Sequence, residues 1–312
     1  MLNEAREKTE KIIDVLHKPL IGKEKKVRTY RQKARKNYLS FTKNRKPGKK
    51  AIRKAVGKQL GYVERNFNHI SNLAQKVGLG ALSRKQYRDL LVISELHRQQ
   101  NEMYEKSTHS VQGRIVSIHQ PHVRPIVRGK ASAMTEFGAK STISVVDGYV
   151  FTERLSWEAY NEANDLSEQI ERYKDRYGWY PESVHVDQIY RNRENRKYCK
   201  KHGIRLSGPM LGRPPKDKER NRAIIQQTRQ DERDRIPVEG KFGNGKRRYG
   251  LGRIMAKRAD TSESVIGTVI LVLNLEKVLR DLFWVIFWCI TNFVRGTNLL
   301  VFDVNRRRKR AA

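Results

Sequence analysis

Two acids with basic neighbours are the residues of this chain best placed to do chemistry. Asp187 closes the apolar segment Ser183-Val184-His185-Val186-Asp187. That segment reads as a short strand, and a carboxylate at the carboxyl end of a strand emerges into the crevice beyond the sheet edge, where metals and substrates are met. On position alone a turn-capping aspartate is the more common case. Glu239 follows Arg235 by four residues and precedes Lys246 by seven. On a helix all three fall on roughly one face. A carboxylate in such a row can hold a divalent cation while the flanking cations neutralise phosphate oxygens, as phosphoryl transfer requires. The competing reading is a surface ion pair, and Gly240, Gly243 and Gly245 weaken a regular helix there.

The elements that must position these residues can be followed along the chain. Its 312 residues suffice for one large domain and a smaller one. Residues 1 to about 20 read as an amphipathic helix, with Ile12, Ile13, Val15 and Leu16 toward one face. It is too charged to be a secretory signal, which leaves the cytoplasm as the default location. From Lys23 to Lys58 there are sixteen Lys or Arg and a single acid, Glu24, with Tyr30, Tyr38 and Phe41 interleaved. This stretch reads as a phosphate-tracking surface in preference to a merely solvated helical face. Helical spacing returns from residue 60 to 106.

Near Gly113 the pattern changes to β-branched and aromatic residues bounded by Pro and Gly, so strands are expected across RIVSIHQPHVRPIVRGK and KSTISVVDGYVFTERLSW. Asp147-Gly148 between two apolar runs marks a type I′ hairpin turn. Helices are expected at about 161–177, 195–202 and 219–235, with a short strand at 203–209, a basic loop at 213–218 and a glycine-rich turn over 240–252. The apolar stretch from Val265 to Ile290 is split by Glu276, Lys277, Arg280 and Asp281 into runs too short to cross a membrane. It reads as a buried core helix. Alternating strands and helices give an α/β class.

Charge narrows the partner. With 66 Lys+Arg against 33 Asp+Glu the net charge is +33, which calls for a polyanion. Cys199 and Cys289 stand apart in unlike contexts and form neither a disulfide framework nor a zinc site. His119, His122 and His185 show no metal-ligand spacing, Trp179 and Tyr180 read as core or turn aromatics, and Glu136 takes no functional role.

The segments around the two acids resemble the DDE transposases of bacterial insertion sequences. Val186-Asp187-Gln188-Ile189-Tyr190, followed by Arg193, Asn195 and His202-Gly203-Ile204, is similar to their second-aspartate motif. Arg235-Ile236-Pro237-Val238-Glu239-Gly240-Lys241-Phe242-Gly243 with Lys246 is similar to their third-acid motif, R-x3-E-x6-K. Glu232 stands where the family carries a tyrosine. IVSIHQPHVRPIVRGK, TEFGAK, LSWEAYNEANDL and LSGPMLGRP add to a likeness that covers most of residues 1 to 280.

The resemblance implies an RNase H-like mixed sheet flanked by helices, behind a helical N-terminal region. Its expected divisions are a basic helical part at 1–112, inserted after a first strand, a catalytic domain at 113–290, and a basic tail at 291–312. It implies Mg2+ in a two-metal site, with Asp187 and Glu239 as catalytic metal ligands and Arg235 and Lys246 on DNA phosphates. The implied partner is double-stranded DNA carrying terminal inverted repeats, bound by a possible homodimer. In related chains the first aspartate precedes a helix like LNEAREKTEKIIDVL, where this chain begins, so a copy lacking that aspartate is expected. Asp147, Asp14 and Asp165 do not replace it, because the first turns a hairpin and the others fall in helices. The alternatives are an inactive DNA-binding remnant or regulator and, from charge alone, a basic RNA-binding protein.

Overall fold

The computed structural model describes residues 1–127, 135–209, 212, 213, 215 and 217–294. The chain divides into two compact units, Met1–Gly138 and Ala139–Ala312. Both helix and strand are present, as expected for a mixed fold.

The first unit is built on helices α1 (Leu2–His17), α2 (Arg31–Thr42), α3 (Lys49–Val77) and α4 (Arg84–Glu105). In α1, Ala5, Thr9, Ile12, Ile13 and Leu16 recur at helical spacing and are buried. Ala5, Ile12, Ile13 and Leu16 meet Val63, Ile70 and Leu73 of α3 and Leu90, Ile93 and Leu96 of α4 in two adjoining apolar clusters. Full burial of a side chain such as Ile93 or Leu96 contributes about 1.5–3 kcal/mol. Gly78 ends α3, and Ser83 starts α4 through a reciprocal capping box with Gln86.

Polar groups inside this bundle are tied to one another. Arg6 donates to Glu10 at 2.6 Å, and Asn66 donates to Thr9 Oγ1 at 2.9 Å. Strand structure begins later than the sequence suggested. Residues 114–123 are irregular although Ile115 and Ile118 enter the core, and only β1 (Arg124–Val127) pairs with β2 (Thr135–Gly138). Pro121 and Pro125 limit what this segment can donate to a ladder. Residues 128–130 of the expected strand lie outside the described residues.

The second unit opens with the hairpin of β3 (Lys140–Val146) and β4 (Tyr149–Ser156). Asp147 (φ 51°) and Gly148 (φ 82°) make its two-residue turn, as the Asp-Gly pair predicted. A register shift at Thr142/Ile143 marks a bulge beside Glu153. Buried Glu153 accepts hydrogen bonds from Ser144 and from Arg176. Arg176 belongs to α5 (Leu166–Tyr177), which follows a short 3-10 turn, Glu162–Asp165.

A parallel pair, β5 (Ser183–Val184) and β6 (Arg205–Leu206), brackets α6 (Arg193–Lys201). Two long helices complete the unit, α7 (Lys218–Arg248) and α8 (Ala259–Val294). Among the described residues the strands form three two-stranded pairings, two antiparallel and one parallel.

Two expectations are corrected here. The glycine-rich turn over 240–252 is helix as far as Arg248, continuing through Pro237, Gly240, Gly243 and Gly245. Packing outweighs propensity: Val238 and Phe242 lie against a buried cluster of Ile143, Val145, Val150, Val269, Ile270 and Leu273. At Gly245 a Cβ would stand 3.1 Å from the Leu251 side chain and 3.5 Å from Val269, so a larger residue there would press on Leu251.

The second correction concerns α8, which is a core helix over only its first half. Ile266, Val269, Ile270 and Leu273 are buried on the hairpin, and Asn274 holds both the N–H and the C=O of Val150. Beyond the charged step at Glu276–Asp281, the residues Leu282, Phe283, Trp284, Ile286 and Ile290 are exposed. No helix among the described residues is long and apolar enough to cross a membrane.

Candidate functional site

The site begins with the β5–β6 pair. Val184, Val186 and Leu206 turn toward the apolar cluster of Ala163, Leu166, Ile170, Tyr190, Cys199 and Ile204. Strand periodicity then sends His185 and Asp187 to the other side. Ser207 fixes the extension beyond the ladder, its N–H bonding Val184 O at 2.9 Å and its hydroxyl accepting from Val186 N at 3.1 Å. The strand itself is shorter than expected. Asp187 instead occupies the N-cap position of a 3-10 turn, Gln188–Tyr190, yet makes no side-chain cap bond. Its carboxylate is directed elsewhere, which removes the turn-capping explanation.

That carboxylate meets α7. Arg235 Nη1 contacts Asp187 Oδ1 and lies 3.2 Å from Glu239 Oε1 on the next helical turn. The helix that runs through the glycines therefore puts Arg235 and Glu239 on one face and joins both acids at a single guanidinium nitrogen. The acids are exposed, with side-chain accessibilities of 61% for Asp187 and 68% for Glu239. Exposed pairs of this kind are worth about 0–1 kcal/mol, so the acids are held in place without being committed to the fold. Lys246 is exposed on the same helix, seven residues and about 10 Å of rise beyond Glu239.

One helical turn before Arg235, a buried contact repeats the arrangement. Asp231 is 5% exposed and accepts hydrogen bonds from Arg205 Nη1 at 2.8 and 2.7 Å, one to each oxygen, and from Gln227 at 2.9 Å. Burial alone would raise its carboxyl, but the bonds from Arg205 and Gln227 and the Arg205 charge hold it below the ordinary aspartate value. His185 faces it, Nδ1 to Oδ1 at 3.7 Å. Two residues of the extended segment after β5, His185 and Asp187, thus stand opposite two helix residues one turn apart, Asp231 and Arg235. Asp231 and Arg205 were not singled out from the sequence, and His185 was set aside there because it shows no metal-ligand spacing. They are 20 to 46 residues apart in the chain, and only the strand–helix contact brings them together.

Other residues of the second-aspartate segment shape the turn after Asp187. Asn195 donates to the carbonyls of Ala163 and Tyr190 at 2.7 and 2.8 Å, and Asn192 caps α6. Buried Tyr190 has its hydroxyl pushed up by burial and by the nearby Glu162. Gly203 takes the positive φ of 69° that ends α6, and Tyr180 packs on His202 and on the apolar cluster. Trp179 is half-exposed in the preceding turn.

Two other acids weighed from the sequence have structural partners: Asp14 pairs with Lys26 and Arg31, and Asp165 with Arg154. His119 lies beside Glu4, and Glu136 stands on β2 opposite Ile126.

Residues 184–276 match the transposase DDE domain family. The matched segment holds Asp187, Arg235, Glu239 and Lys246. No curated protein and no solved structure matches the chain.

Proposed function

From the match of residues 184–276 to the transposase DDE domain family we propose that the chain binds transposon-end DNA and carries out metal-dependent strand cleavage and transfer. The observation that supports this most is the convergence of Asp187 and Glu239 on one cationic nitrogen of Arg235. A guanidinium bridging two exposed carboxylates marks a position where positive charge is favoured. Two hard oxygen ligands there suit Mg2+, which keeps several waters and takes few carboxylates. Asp187 and Glu239 would hold the ion, which when bound lowers the cost of deprotonating a water or 3′ hydroxyl and offsets developing charge on the phosphate.

In this reading Arg235 is a placeholder. It screens the repulsion between the two acids and turns to a DNA phosphate oxygen when the cation arrives, a bidentate role that suits arginine. Lys246, further along the same helix, meets the backbone as a point charge.

The N-terminal unit supplies the electrostatic footing. Lys33, Arg35, Lys36, Lys43, Arg45 and Lys46 are all exposed, and Glu24, the acid within that basic stretch, is held by Lys76 at 2.7 Å. Tyr30, in a left-handed conformation, has Arg28 and Arg65 over its ring at 4.5 and 4.8 Å. The antiparallel hairpin and the parallel β5–β6 pair are assigned to an RNase H-like frame, and a homodimer belongs to the same reading.

The test is Mg2+-dependent cleavage of a duplex carrying the element's terminal repeat, compared with unrelated duplex and structured RNA at stated salt. Cleavage that disappears in Asp187→Asn and in Glu239→Gln supports the proposal. Selective binding of the repeat without cleavage would make the chain a DNA-binding regulator, and equal binding of structured RNA would overturn the DNA assignment.

A further inference from the structure

The strand–helix contact beside Asp187 holds a second set of ligand-type side chains. His185, Asp231 and Asp234 each place one ligand atom within 4.8 Å of the others. His185 comes from the strand side, and the two aspartates lie almost one turn apart on α7. The imidazole is 4% exposed and the Asp231 side chain 5%.

What distinguishes this group from a cluster of surface acids is an orphaned nitrogen. His185 Nε2 is 3.1 Å from Ser183 Oγ, which fixes the ring. Its Nδ1 is buried with no hydrogen-bond partner, and the facing Asp231 oxygen at 3.7 Å is too far to bond. Buried polar atoms without partners are rare and call for an explanation, an ion among them. A second-side hydrogen bond that orients a free ring nitrogen toward carboxylates is the arrangement in which imidazoles bind metals.

We propose that His185 Nδ1, Asp231 and Asp234 form a second cation site, for a divalent transition metal of the zinc type, separate from the Asp187–Glu239 pair. One imidazole and two carboxylates make a three-ligand set that leaves a coordination position for water. Asp234 is only half-buried, so the site opens on its side. Mg2+, which favours oxygen-only ligands, is selected against by the imidazole.

Arg205 fixes how the site fills. Its side chain is 42% exposed and occupies both Asp231 oxygens, so it supplies the positive charge that a metal replaces and can swing outward without disturbing the core. Gln227 on Asp231 and Gln230 on Asp234, each at an oxygen with a second lone pair, hold the carboxylates in place. Metal and Arg205 therefore compete for Asp231.

The proposal does not depend on the magnesium reading of the exposed pair. Its test is titration of the full chain with Co2+ alone, followed by the visible ligand-field absorption, with Zn2+ and Mg2+ as competitors. The expected result is a single saturable class displaced by Zn2+ and not by millimolar Mg2+. His185→Asn should weaken it by about tenfold or more, and Arg205→Gln should strengthen it. Asp234→Asn, at a half-buried position where misfolding is not expected, should weaken it too, while Asp187→Asn with Glu239→Gln leaves it intact. Absence of saturable absorption, undiminished binding in both His185→Asn and Asp234→Asn, or loss of binding in the Asp187/Glu239 double variant would overturn the assignment.

Discussion

The buried acids of the helical unit contrast with the exposed acids of the second unit, which carries the segment matching the transposase DDE domain family. In the first, Glu10 is 6% exposed and clasped by Arg6, and Asp89 is 5% exposed and held by Lys8 at 2.7 Å. Those carboxylates serve the fold. In the second, Glu153 serves in the same way beneath Arg176, while Asp187 and Glu239 remain in solvent on a single shared guanidinium. A buried, multiply bonded acid cannot be released without leaving an uncompensated charge, whereas an exposed one exchanges partners at little cost. Accessibility and saturation thus separate acids committed to the fold, such as Glu10 and Glu153, from Asp187 and Glu239, which exchange partners at little cost.

Arg6→Leu should be the most disruptive substitution. It strands Glu10 in the helical core and should lower unfolding free energy by about 3–5 kcal/mol in denaturant titration. Its pH dependence has a definite sign. Burial raises the Glu10 carboxyl above its ordinary value even with Arg6 beside it. A raised acid binds more protons folded than unfolded, so stability falls as pH rises from the ordinary glutamate value through the folded one. That fall should steepen in Arg6→Leu.

Next in size is a contrast within α8. Leu273, 1% exposed, should lose about 2–5 kcal/mol as Leu273→Ala, whereas Leu279→Lys, at a side chain 67% exposed, should stay within about 0.5 kcal/mol by thermal unfolding.

Asp231→Ala should cost about 1–3 kcal/mol, less than Arg6→Leu because its partner Arg205 regains water. Asp231 has a lowered carboxyl, so its contribution is present above the ordinary aspartate value and lost as pH falls through the folded one. The variant's deficit should therefore shrink on acidification, which an acid-limb melting series would show. Smallest of all are Asp187→Asn and Glu239→Gln, expected to change stability by less than about 1 kcal/mol while abolishing cleavage.

Much of this was readable in the sequence where the signal is local. Asp147-Gly148 specified its own turn, the spacing in α1 specified its buried face, and Arg235 with Glu239 carried their spacing onto a helix. Asp187 was read as the end of an apolar strand, whereas the strand ends at Val184 and Asp187 opens a 3-10 turn, and its partner Arg235 was not legible. What escaped was set by tertiary packing. Nothing local to Pro237, Gly243 or Gly245 says that the helix survives them, since the cluster under Val238 and Phe242 decides it. The apolar run of α8 does not reveal that the hairpin covers only its first half. His185 and Asp231 lie 46 residues apart, and no spacing rule joins a strand histidine to a helix aspartate at that separation. The basic tail, Arg306 to Arg310, lies outside the described residues.

The most direct test of the central claim is the thermal shift of the full chain on adding millimolar Mg2+, measured beside the Asp187→Asn/Glu239→Gln double variant. A ligand that binds only the folded state raises the melting temperature in proportion to its occupancy. The account predicts an upward shift for the wild-type chain and none for the double variant, with equal melting temperatures before Mg2+ is added. A shift of the same size in both, or in neither, would contradict it.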